Sequence, residues 1–258
     1  SKPAQKILVN AAILWPNLEA KTLETMFDFR YGEYIPALEE LQQKCILRSI
    51  EPFSGNLNYE FVHGITREIV LQNTSPARQR NLHLAAVMAL KMNRGNDPEL
   101  AKDFAEHYEF AGEKIMAFDA WCESARYERR RFDTNAAYAS YQRAAALLPD
   151  LPVEMYSVRL HGLIYDWGDY AYDLDDTSTC KMLYNMAREY GESHQDTVLI
   201  ADALCGFGRL AEMQGEFDEG IDSLNRALFF LKNTNDKQRL IETYSRLGFL
   251  FEIKHEYS

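Results

Sequence analysis

The stretch Leu204-Cys205-Gly206-Phe207-Gly208-Arg209-Leu210-Ala211-Glu212-Met213-Gln214-Gly215-Glu216-Phe217-Asp218-Glu219-Gly220-Ile221-Asp222-Ser223-Leu224-Asn225-Arg226-Ala227-Leu228 reads as two helices and the reversal between them. Large residues at Leu204, Phe207, Leu224 and Leu228 are interleaved with small ones at Gly208, Ala211, Gly220 and Ala227, all at helical spacing. Gly208 and Gly220 fall where two antiparallel helices would approach too closely for a β-carbon, while Gly215 lets the chain reverse and Phe217 fills the turn. The pattern returns later as Leu247-Gly248, Phe251 and Tyr257. Weaker copies precede it: Ala101, Phe104-Ala105, Tyr108, Gly112, Ala117, Trp121 and Ala125, then Ala137, Tyr141, Ala144 and a closing Pro149. Leu160, Ile164, Gly168 and Tyr170 begin another copy, which residues 171–179 are expected to interrupt.

These small and large positions resemble the tetratricopeptide repeat, and about four helix pairs are expected between 98 and 258, the last incomplete. The repeat-packing positions are Gly208, Gly215, Gly220, Ala227 and Gly248. The fold class that follows is mainly all-α, with an α-solenoid whose first helices line a concave surface. In the clearest repeat those surface positions are Asp202, Cys205, Arg209 and Glu212; in the early one they are Glu99, Lys102, Glu106 and Glu109. Neither set matches the Lys/Asn carboxylate clamp of chaperone-binding repeats.

Upstream, Ile7, Leu8, Ala11, Ala12, Ile13 and Leu14 form an apolar stripe that stops before Pro16, and Asn17 is placed to cap a second helix bearing Leu18, Leu23 and Met26-Phe27. A third helix is expected over 33–45, with Ile35, Leu38, Leu41 and Gln42 on one face. Two short strands, 46–50 and 57–62, flank a loop at 51–56 with the Pro, Gly and Asn that a hairpin needs. Three helices and a β-hairpin make a winged helix, assigned to residues 1–93, with the repeats over 97–258 beyond a turn-rich link at 93–98. After the hairpin, Ser75-Pro76 opens a further helix containing Arg80, Leu82, His83, Ala86 and Leu90.

The run Tyr59-Glu60-Phe61-Val62-His63-Gly64-Ile65-Thr66-Arg67-Glu68 resembles the M-H-D-L-V-R-E pattern that ends the winged-helix domain of STAND signal-transduction ATPases, among them LuxR-type regulators and ATPase-linked cyclases and kinases. Gly64 stands where many members carry Asp. The resemblance implies that an NTPase module precedes residue 1 and that more repeats follow residue 258. It implies that ATP or ADP is the cofactor of the longer protein, while this chain binds none itself. His63, with Arg67, would sense the nucleotide at the hinge, and the repeats would receive a protein partner or small inducer. Two further readings stay open: a DNA-binding transcriptional regulator with a repeat regulatory domain, and a plain interaction scaffold.

Charge bears on the choice. Residues 1–96 carry eleven Lys+Arg against nine Asp+Glu, whereas 97–258 carry seventeen against thirty. So acidic a half would be repelled by a phosphate backbone, which argues against nucleic acid as its partner. On the winged helix only Lys44 and Arg48 lie near the candidate recognition helix, and Glu39 and Glu40 share it. Four dispersed cysteines (Cys45, Cys122, Cys180 and Cys205) read as free thiols in a reducing compartment, and no apolar run approaches membrane-spanning length, so a cytoplasmic location is expected.

No phosphate loop, nucleophile elbow or metal-ligand spacing occurs, so no catalytic or metal residue is assigned and the chain by itself is read as non-enzymatic. His107 and His161 read as packing residues. The acids around Asp173 lack the Gly and Glu of a calcium loop. Trp167, Tyr170 and Tyr172 are candidates for packing an inserted turn or, with Arg209, for touching a partner. Leu240, Tyr244, Leu247, Gly248 and Phe251 recur at helical spacing, so self-association through 236–258 is expected.

Overall fold

The structure, a computed structural model, describes residues 1–27, 32–50, 57–232, 234 and 236–256. Among these the chain is mainly α-helical with a single two-stranded sheet, which gives the all-α class. It divides into two units, Ser1–Ser140 and Tyr141–Ser258, not at the link at 93–98. The reason lies in the core: Leu100 and Phe104, just beyond that link, are buried in the same apolar cluster as Ile7, Leu14 and Leu38.

The first unit opens with α1 (Lys2–Leu14), α2 (Ala20–Thr25) and α3 (Tyr34–Gln43). Helix α1 buries Ile7, Ala11, Ile13 and Leu14, and the amide of its buried Asn10 donates to the Met26 carbonyl at 3.2 Å. Asn17 does not cap α2. Its amide donates to Asp103 at 2.7 Å, and Glu19 occupies the N-cap instead. In α3 the core face is Ala37, Leu38 and Leu41, whereas Ile35 is exposed, because the helix is rotated to put the 37/38/41 stripe inward.

Cys45, at φ 53°, turns the chain into β1 (Leu47–Ile50), which pairs antiparallel with β2 (Asn58–Phe61) in the register Leu47↔Phe61 to Ile50↔Asn58. A bridge between Glu19 and Asn58 adds a short third edge, with Ala20 donating to Leu57 and Tyr59 to Leu18, each at 2.9 Å. The loop expected at 51–56 lies outside the described residues, as does Tyr257. Helices α4 (Gly64–Gln72), α5 (Pro76–Arg94), α6 (Ala101–Ala111) and α7 (Lys114–Arg130) complete the first unit, α6 and α7 packing as a pair. The division between units falls inside α8 (Thr134–Leu147).

In the second unit α9 (Val153–Leu163) runs through a π turn at Ile164–Gly168 directly into α10 (Asp169–Asp173). The interruption expected at 171–179 is therefore corrected. Residues 171–173 stay helical, and the break is confined to 174–176, with Asp175 at φ 57°. Trp167 is fully buried with its ring stacked on Tyr141, centroids 5.7 Å apart. The π turn draws it inward, so it is a core residue and not a partner contact.

Helices α11 (Thr177–His194), α12 (Thr197–Gln214), α13 (Phe217–Leu231) and α14 (Lys237–Glu256) follow, each packed on the next. Asp176 and Asp196 cap α11 and α12 by accepting from Thr179 N at 3.1 Å and Leu199 N at 3.0 Å. Gly215, at φ 72°, ends α12 in the left-handed region that a β-carbon disfavours. Such short connections make neighbouring helices antiparallel. Ala227 is buried with Ile200, Ala201, Leu204 and Leu231, while Leu224 and Leu228 pack on Leu247 and Leu250 of α14.

A β-carbon on Gly208 would stand 2.9 Å from Leu224 Cδ2, and one on Gly220 3.0 Å from Leu250 Cδ1 and 3.3 Å from the Gly208 carbonyl. At Gly248 a β-carbon would meet nothing within 4 Å. The close approach expected there is corrected, because α14 turns Leu247 and Leu250, not Gly248, onto α13.

Candidate functional site

Two candidate places stand out, one in each unit. In the first, His63 is the N-cap of α4, with extended backbone (φ −130°, ψ 121°), no side-chain capping bond and an exposed imidazole. Arg67, one turn on, is engaged elsewhere. Its Nε donates to the Ala12 carbonyl at 3.0 Å and its guanidinium lies 4.7 Å over the Trp15 ring, a cation–π contact. Burial, partly offset by Glu68, pulls the Arg67 pKa below its ordinary value. The structure thus gives the two residues different work: Arg67 docks α4 on the end of α1, and His63 stays free at the start of the helix. Helix α4 buries none of its own residues and leaves Ile65 and Ile69 exposed.

In the second unit a pocket of about 290 Å³ opens on the face shared by the alternate helices α9–α10, α12 and α14. Arg209 of α12 pairs with Asp169 of α10, and its guanidinium lies 4.1 Å over the Tyr172 ring. Burial works against the Arg209 charge but Asp169 outweighs it, so its pKa is raised. Tyr172 is thereby occupied within the chain, and Tyr170 is half-buried.

The other charged wall is a network across three helices. Asp202, almost wholly buried on α12, receives Arg239 Nε of α14 at 3.0 Å and faces His161 Nδ1 of α9 at 2.5 Å. Arg239 also pairs with Asp236 and lies 2.8 Å from His161 Nε2. His161 is accordingly more than a packing residue, since its ring bridges Asp202 and Arg239 across the first helices. Burial disfavours the Arg239 charge, but Asp202 and Asp236 more than restore it and raise the pKa. Arg246 closes the far side on Glu212 at 3.3 Å, and Cys205 Sγ lies 3.4 Å from Thr243 Oγ1. Burial, then the Asp202 charge, pushes the Tyr165 hydroxyl up to about 12, and burial also raises the Cys205 thiol.

Lining groups that escape sequence reading include Arg239, Glu242 and Arg246 of α14 and Tyr184 of α11. Tyr184 reaches the pocket from α11, behind α12, and is only 1% exposed. It passes α12 at Gly206, where a β-carbon would lie 2.4 Å from its ring carbon Cε1. No real β-carbon tolerates that distance, so the ring position depends on the glycine. The signal available in sequence was an unassigned glycine, Gly206, two residues before the repeat's own Gly208. Among the described residues no group of three or more His, Cys, Asp or Glu side chains is placed to hold a metal ion, and no helix is long and apolar enough to cross a membrane.

No protein-family model matches the chain, and no curated protein matches it. Among solved structures it is similar to a Signal Transduction ATPase with Numerous Domains (STAND) protein with a tetratricopeptide repeat sensor from Pyrococcus horikoshii, at 13% identity and a TM-score of 0.39. That match covers 99% of this chain, which spans 42% of the length of the archaeal protein.

Proposed function

We propose that this chain is the hinge and sensor arm of a STAND-type signalling switch, itself non-catalytic, whose repeats bind an effector and whose His63 reads a nucleotide held by a further module. The observation that carries the reading is the pocket on alternate helices, lined by Asp202, Cys205 and Arg209, where a helical-repeat sensor receives its ligand. For the hinge, three helices, a β-ribbon and a third short edge at Glu19 support a winged helix. An α4 with no buried residue and an exposed His63 at its start supports a surface to which another module docks.

A DNA-binding role draws less support, because Lys44 and Arg48, the basic residues beside α3, are held by Glu40 and Glu60. In the protein that includes a nucleotide module, ADP should co-purify, and His63→Ala should release it faster. The imidazole–phosphate contact at stake is worth about 1.5–3 kcal/mol, so the off-rate should rise by about tenfold or more. Nucleotide quantified after gel filtration of both proteins gives the answer, and an unchanged off-rate would sink the hinge assignment.

A further inference from the structure

Among the described residues, helices α6, α7, α10, α11 and α12 each run out into a residue in the left-handed region: Gly112, Phe132, Asp175, Gln195 and Gly215. At the end of α7 the amide of Phe132 donates to the Arg129 carbonyl and that of Asp133 to the Glu128 carbonyl, each at 3.0 Å, the paired bonds of a Schellman turn. Glycine is the ordinary choice at that position, polar residues are tolerated, and a bulky ring is strained. Phe132 sits there at φ 62° and is 91% exposed, so its ring recovers no packing for the strain it causes. A strained aromatic that gives the fold nothing points to a contact outside the chain.

The residues beside it give the chemistry of that contact. Arginines, and no lysine, stand at 126, 129, 130 and 131. Arg130 and Arg131 are exposed. Arg131 Nη1 donates to the neutral Tyr127 hydroxyl at 3.0 Å, and Arg130 reaches Glu123 only at 3.5 Å, a carboxylate that Arg126 holds at 3.1 Å. Guanidinium forks turned to solvent in this way suit carboxylates, so the tip fits an acidic surface that also offers the ring an apolar seat. The chain itself carries one. Its second unit has twenty Asp+Glu against eleven Lys+Arg. The turn Asp173-Leu174-Asp175 after α10 sets two exposed carboxylates about a leucine that is 45% exposed.

We propose that Phe132, with Arg130 and Arg131, docks on the Asp173-Leu174-Asp175 turn of a second copy of this chain. The contact is heterologous, basic tip to acidic turn, so each copy keeps one surface of each kind open for the next. It is separate from the apolar stripe of α14 and does not depend on the sensor reading above.

The test is sedimentation equilibrium of the chain at about 50 mM and about 500 mM salt. Self-association that weakens at the higher salt is expected, whereas association through the apolar face of α14 would not weaken. Phe132→Gly should reduce the low-salt association about tenfold or more while keeping or raising the melting temperature, since it removes strain and no packing. Arg130→Glu with Arg131→Glu, and separately Asp173→Lys with Asp175→Lys, should each weaken association alone. An equimolar mixture of these two variants should restore it, because the reversed tip of one meets the reversed turn of the other. Low-salt association unchanged in Phe132→Gly, a lower melting temperature for that variant, or no recovery in the mixture overturns the proposal. A monomer at low salt overturns it too. If that monomer sediments with phosphatidylserine-containing vesicles and Phe132→Gly does not, the tip belongs to an anionic lipid surface instead.

Discussion

Two histidines on successive helices show how much a single residue's surroundings can hide from its sequence. His107 looked like an ordinary packing residue on α6. In the fold its Nδ1 lies 2.8 Å from Nδ1 of buried His83, whose ring stacks on Phe110 with centroids 4.8 Å apart. Burial, with His83 adding repulsion at His107 and Arg67 adding it at His83, holds His107 near 3 and His83 near 4, against an ordinary 6.5. Below about pH 6.5 the unfolded chain therefore takes up protons that the folded pair refuses, and stability falls as the pH drops toward 4. Asp103, on the same helix, acts in the opposite sense. Burial, then Glu106, raises its carboxyl to about 6, so the folded state gains a proton first and is favoured by acid. The difference between proteins isolates the histidine effect. Urea unfolding at pH 7 and pH 5 should show the wild type losing about 2 kcal/mol more than His107→Gln. Parallel losses would mean that the pair is solvated.

At the level of helices, the α12–α13 reversal was legible because both partners of each close contact lie within one repeat of sequence. Gly208 meets Leu224 only sixteen positions on. Gly208→Leu should destabilise the second unit by at least about 1–3 kcal/mol, since neither Leu224 nor the Gly220 backbone can retreat from a larger side chain. Hydrogen exchange resolved by segment gives the check. Faster exchange in α12–α14, with α1–α3 unchanged, is expected, and wild-type protection throughout would place the crossing elsewhere. Other elements were misread for physical reasons. The helix expected to break after 170 runs on to 173 through a π turn at 164–168, which buries the Trp167 indole instead of presenting it to a partner. Asn17 has the chemistry of a cap but finds Asp103, a partner 86 residues away that no local window contains. Arg67, read beside His63 in one motif, has its bonding partner 55 residues earlier, in α1.

At the level of the whole molecule, the class of the fold was readable from small and large residues at helical spacing, whereas the division into units was not. The composition break near 96 reflects surface charge, but Leu100 and Phe104 place the first repeat-like helices on the core of the first unit. The far end of the chain adds one expectation. Leu247 and Leu250 turn inward, and Ile241, Tyr244 and Phe251, 65%, 51% and 44% exposed, form an apolar stripe with Gly248 between them. Light scattering should show association rising with concentration, suppressed by Tyr244→Lys combined with Phe251→Lys; a strict monomer at all concentrations would refute it. The Gly206–Tyr184 crossing, finally, has a consequence for descent. Neither position can change in size alone, since a side chain at 206 evicts the ring and a small residue at 184 leaves a void against a bare helix. On the sensor reading proposed above, a shift in what the pocket recognises should leave a matched double signature at 184 and 206 while the surrounding repeat is inherited intact.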